Sequence, residues 1–217
     1  MEGNREMLQK NKKAEQEASR EENRFFSVFF LGEGAMTDRI PILSVGNGSR
    51  EVVYMTGGKE DERMSRMLLL CFFRDLTAQR KGNAWPHDLL GTTRFFLIPR
   101  WCRKSEYDRN VISSFLHFGC KADGILYLSC EGDHIVTTRA DEPKEFSRFA
   151  RNHGGSVPIL FTDRLFNGEN CFELPPMVSV SCSQKEDSFL QYLKLRQFLF
   201  FFPSWVKAQN AKNGEKM

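Results

Sequence analysis

The feature that most constrains this chain is an alternation between residues 93 and 163. Three runs there carry no polar break: Phe95-Phe96-Leu97-Ile98, Ile125-Leu126-Tyr127-Leu128 and Val157-Pro158-Ile159-Leu160-Phe161. A strand with one solvated face alternates apolar and polar residues, so an unbroken run points to a strand covered on both faces. The first interval reads as a helix. Ser105-Glu106-Tyr107-Asp108 offers an N-cap and first-turn acids, Val111, Ile112, Phe115 and Phe118 recur at helical spacing, and Gly119 stands at its end. In the second, Lys144 to Asn152 forms a shorter helix with Phe146, Phe149 and Ala150 on one side, and Gly154-Gly155 breaks the chain before the third run. Strand and helix in alternation predict an α/β fold, a mostly parallel sheet flanked by helices. Such sheets gather their chemistry where strands end. That marks the loop after Leu128 and the residues after Phe161.

Around this unit the pattern is plainer. Phe25–Leu31 is a first strand, followed by a turn at Gly32-Glu33-Gly34; Ile40–Val45 and Val52–Met55 bracket Gly46-Asn47-Gly48 as a hairpin would. Lys59-Glu60-Asp61-Glu62 opens a helix whose buried stripe is Met64, Met67, Leu68, Cys71 and Phe72. Gly57-Gly58 before it is no phosphate cradle, because no Lys-Ser/Thr follows and the acids repel one. Asp123 reads as a cap or turn residue before its strand. Met177–Cys182 is a further strand, and the apolar residues of 189–202 form a buried helix or strand pair that Pro203 ends. Residues 1–24 hold six acids and six bases with Met7 and Leu8 as the sizeable apolar residues after Met1, a charged helical or disordered extension. A single domain over 25–205 and a basic tail over 206–217 complete the division.

Composition removes several classes. A net charge of +3 over 217 residues gives no concentrated basic surface for nucleic acid, and the longest apolar runs are too short to span a bilayer. The six cysteines (Cys71, Cys102, Cys120, Cys130, Cys171, Cys182) lack paired spacing and no apolar leader opens the chain, so free thiols in a reducing cytoplasm are expected. Asn47-Gly48-Ser49 matches a glycosylation acceptor but reads as a turn. A zinc site from Cys130, His134, His153 and Cys171 lacks tight ligand spacing. No metal or other cofactor is expected. Twenty phenylalanines against four tyrosines predict large, plain aromatic packing units.

The stretch Ala122-Asp123-Gly124-Ile125-Leu126-Tyr127-Leu128-Ser129-Cys130-Glu131-Gly132-Asp133-His134-Ile135 resembles the caspase family, where an Asp-led apolar strand runs into Leu-Ser-His-Gly and an acidic glycine turn. Pro158-Ile159-Leu160-Phe161-Thr162-Asp163-Arg164 stands where that family has a strand ending in Gln-Ala-Cys-Arg-Gly, and Asp187 to Tyr192 with Ser204-Trp205 resembles the start of the small subunit. The resemblance covers about half the chain. It implies a caspase-like (caspase–hemoglobinase) three-layer fold and places Cys130 at the family's histidine position and Asp163 at its cysteine position. The specificity pocket would be degenerate, with Phe161 for its glutamine, Met55 near its upstream arginine, and Arg164 alone retained.

A thiol beside a carboxylate cannot act as a thiolate–imidazole pair, because the negative neighbour raises the thiol pKa. The resemblance therefore implies a pseudoprotease, a non-catalytic regulator in apoptosis or immune signalling that pairs with caspases or caspase adaptors. Two alternatives stand beside it. One is an active cysteine endopeptidase with Cys130 as nucleophile and His134 or His153 as base. The other is an unrelated small α/β ligand-binding protein.

Overall fold

The apolar runs at 95–98 and 125–128 become strands because each has two separate layers to bury into. In the computed structural model, residues 26–35, 39–56, 63–78, 89–100, 105–129, 135–137, 159–161, 177–181 and 187–214 are described. Eight strands form one sheet: β1 (Phe26–Leu31), β2 (Ile40–Val45), β3 (Arg50–Thr56), β4 (Thr93–Ile98), β5 (Ala122–Ser129), β6 (Ile135–Thr137), β7 (Ile159–Phe161) and β8 (Met177–Ser181). Their spatial order is β1-β2-β4-β3-β5-β8-β6-β7. The centre, β4-β3-β5-β8, is parallel, while β1–β2, β2–β4 and β8–β6 are antiparallel.

Side chains alternate across this centre. Val52, Tyr54, Phe95, Leu97, Leu126 and Leu128 face one core, shared with α1 (Arg63–Ala78) and α3 (Ser188–Gly214). Val53, Met55, Phe96, Ile98, Ile125 and Tyr127 face the other, closed by Ile112 of α2 (Glu106–Ser114) and by Phe115 and Leu116 in the π-helical turn that follows it. Ser105 caps α2 as its sequence predicts, its Oγ accepting from the Asp108 N–H at 3.2 Å. The first core is aromatic at its centre: Tyr54 lies 4.8 Å from Phe72, 5.6 Å from Phe95 and 5.8 Å from Phe202, ring centre to ring centre.

Three expectations are corrected here. β2 and β3 do not pair as a hairpin, because β4 lies between them and bonds to both. Gly46 and Gly48 instead thread the connection across the start of β4. A Cβ on Gly48 would stand 1.9 Å from the Thr92 carbonyl carbon, Gly46 has φ +92°, and the Asn47 N–H donates to the Leu90 carbonyl at 3.0 Å. β3 also lies between β4 and β5. Asp123 belongs to β5, where its carboxylate accepts the Glu51 N–H at 2.8 Å. Pro203 does not end the last apolar run; α3 continues to Gly214, and Val206 is fully buried against Gly124. The helix expected over 144–152 lies outside the described residues.

Candidate functional site

The four parallel strands finish together. Met55 pairs with Ile98, Thr56 with Leu128, and Ser129 with Ser181, so their carboxyl ends form one edge. β6 runs against β8 with Ile135 opposite Val180 and therefore starts at that same edge. Ligands of open α/β sheets sit in this position, since the loops leaving adjacent strands diverge there. Of the described residues at this edge, Thr56, Ser129 and Ser181 are polar and uncharged, and Arg100, two residues after Ile98, is an exposed cation. Thr56 is buried and its hydroxyl donates to the Pro99 carbonyl at 2.8 Å, fixing the exit of β3 to that of β4. Ser129, at the exit of β5, is also buried. Asp187 caps α3 beyond β8, its Oδ1 accepting from the N–H groups of Phe189 and Leu190 at 2.9 and 3.1 Å.

A charged network lies at the opposite, amino edge. Glu51 Oε2 accepts the Lys121 N–H at 2.8 Å, its other oxygen stands 3.7 Å from Arg94, and the Arg94 Nε donates to Ser44 Oγ at 3.1 Å. These contacts bind β2, β4, β3 and β5 across the bulge between Glu51 and Val52. Cys120 sits beside them, and burial, reinforced by Glu51, pushes its thiol up to about 12. It is a protonated packing group at neutral pH. Among the described residues no group of three or more histidine, cysteine, aspartate or glutamate side chains could hold a metal ion.

Of the candidate residues, Met55 is fully buried in the second core, among side chains rather than in an open pocket. Phe161 is the last residue of β7, which borders the sheet opposite β1. Cys130, Asp163 and Arg164, with His134, His153 and Cys171, lie outside the described residues. The strands leading to Cys130 and Asp163 are described, and they diverge. β7 is parallel to β6, which opposes β8 and hence β5, so β5 and β7 end at opposite edges with β8 and β6 between them. The sequence reasoning missed Thr56, whose signal was its place at a strand end directly before Gly57-Gly58.

No protein-family profile and no characterised protein matches the chain in sequence. Solved structures do match its fold. A proposed metallopeptidase from Shewanella amazonensis superposes with a TM-score of 0.60 at 13% identity, covering 85% of this chain and 88% of that one. Bovine thrombin-activatable fibrinolysis inhibitor, solved with tick carboxypeptidase inhibitor, gives 0.62 at 12% identity over 95% and 97%. A metallocarboxypeptidase from Pseudomonas aeruginosa gives 0.54 at 11% identity over 84% and 65%. The fold is that of the metallocarboxypeptidases. The caspase resemblance, with its pseudoprotease role in apoptosis or immune signalling, is therefore overturned: these neighbours span most of the chain, whereas the resemblance rested on two short segments. Both alternatives fall with it, the cysteine endopeptidase and the unrelated ligand-binding protein. The caspase and adaptor partners were an expectation of that resemblance alone. Among the described residues no helix is long and apolar enough to cross a membrane.

Proposed function

We propose a zinc peptidase-like function for this protein, located at the carboxyl edge of β3, β4, β5 and β8. The observation that supports it is the likeness in fold to metallocarboxypeptidases over 84–95% of the chain. Catalytic zinc in carboxypeptidases is held by imidazole and carboxylate with one open position, and zinc elsewhere also accepts thiolate. The strand ends at this edge offer Thr56 and Ser129, which are not zinc ligands, so the donors come from the residues that continue the chain. By sequence, Glu60, Asp61 and Glu62 follow Thr56, Cys130 follows Ser129, and His134 precedes Ile135. This donor set fits zinc by type.

His134 and Cys130, with an acid from 60–62, would hold the ion. Zinc in such a place supplies a Lewis acid and lowers the pKa of a bound water. The chain's own contribution is positional: the Thr56–Pro99 hydrogen bond fixes the exits of β3 and β4, beside the buried Ser129 at the exit of β5. The test is metal analysis of the purified chain together with release of C-terminal residues from short peptides. We expect about one zinc per chain, lost in His134→Ala, and hydrolysis suppressed by a chelator. A folded protein that takes up no zinc and releases no residue overturns the proposal.

A further inference from the structure

β1 forms one border of the sheet, pairing among the described residues with β2 alone. Monomeric proteins blunt such borders with charge, proline or a bulge, because a bare strand edge pairs with another chain. Phe-Ser-Val-Phe-Phe-Leu has none of these. Its odd face is used internally, with Phe29 ring centres 6.3 Å from Phe96 and 6.0 Å from Phe115. Its even face is only partly covered: Phe26, Val28 and Phe30 remain 39%, 46% and 38% exposed.

This stripe continues onto α1. Phe26 packs on Phe73 at 5.5 Å, and Leu70 and Met67, three and six residues earlier on the helix, are 40% and 41% exposed. β1 and α1 run in opposite directions, so Phe30 lies toward the Met67 end of the helix. At 150–250 Å² for a large apolar side chain, these five expose on the order of 400 Å², the upper range for a surface left to water.

We propose that the β1 edge, with its flanking stripe on α1, is a self-association surface that receives the β1 of a second copy, antiparallel about a twofold axis at Val28. The register follows from the pleat. Residues directly opposite in an antiparallel pair share a face, so a pair centred on Val28 sets Val28 against the partner's Val28 and Phe26 against the partner's Phe30. Apolar meets apolar at each even position, and no charge is buried. The chain's own residues 1–24 are a poor occupant, having twelve charges and only Met7 and Leu8 as sizeable apolar residues after Met1. Doubling the patch and adding the paired backbones gives roughly 1,000 Å², the lower bound for a specific interface, so a weak, concentration-dependent dimer is expected.

Sedimentation of the full chain from about 1 to 100 μM tests this. The expected result is a shift from monomer to dimer mass. Val28→Lys and Val28→Glu should each be monomeric, with unchanged circular dichroism since the side chain is half exposed, and an equimolar mixture of the two should regain the dimer. Leu70→Lys, which leaves the strand intact, should weaken dimerisation about tenfold or more. A wild-type chain that stays monomeric at the top concentration overturns the proposal. So does a mixture that fails to pair while the wild type dimerises, because that removes the Val28 axis.

Discussion

Pro203 lies inside a 27-residue helix. Proline has no N–H, so the Leu199 carbonyl, four residues earlier, loses the donor a helix would give it. The Tyr54 hydroxyl donates to that same carbonyl from across the core. Tyr54 is fully buried, and burial raises its phenol well above the usual 10.0, which keeps the donor protonated at any ordinary pH. Tyr54→Phe preserves the ring contacts with Phe72, Phe95 and Phe202 and removes the hydroxyl alone. A buried carbonyl deprived of its partner costs about 1–3 kcal/mol. In a Pro203→Ala background the restored backbone N–H can serve Leu199, and the cost of Tyr54→Phe should fall by about 1 kcal/mol or more, well above the ~0.3–0.5 kcal/mol scatter of independent sites. Urea unfolding of the four proteins, followed by circular dichroism and compared at common slope, measures the coupling. If Tyr54→Phe costs the same with proline or alanine at that position, the hydroxyl is not compensating for the proline and the reasoning fails.

Gly48→Ala should destabilise by about 3 kcal/mol or more, since its Cβ would overlap the backbone at Thr92 and Thr93, and thermal melting should show it beside a mild Ser49→Ala control. Asp75 accepts from Tyr192 at 2.7 Å and from Arg196 at 2.9 Å, linking α1 to α3; Asp75→Asn should cost about 1–2 kcal/mol in chemical unfolding. Burial pushes the native Cys120 thiol up to about 12, above its unfolded value, so its contribution is complete below pH ~8.5 and is lost as pH rises toward 12. The free energy of unfolding should therefore fall over that interval, less steeply in Cys120→Ala, and native Cys120 should resist alkylation at neutral pH. A flat alkaline profile would refute the burial of that thiol.

The local patterns were legible because they depend on neighbours along the chain. Unbroken apolar runs at 95–98 and 125–128 became strands covered on both faces, and Ser105 capped its helix, since each outcome follows from a few consecutive residues. The sequence did not disclose which strands lie side by side. Val157–Phe161 looks as parallel and central as Ile125–Leu128, yet Ile159–Phe161 forms an outer strand running the other way, because its partner is the short β6 rather than β5. Order and direction in a sheet are settled by hydrogen bonds between segments tens of residues apart, and one strand's apolar pattern fits several partners equally well. The caspase resemblance failed for that reason. It matched segments in linear order, whereas the relation of Cys130 to Asp163 depends on the strands between them. Pro203 shows the same limit from the other side: a proline reads as a helix stop until a hydroxyl from residue 54 is brought against the carbonyl it left open. What the chain alone determined was its set of strands and helices; long-range pairing alone decided which ends of them share an edge, and therefore where a functional centre can be.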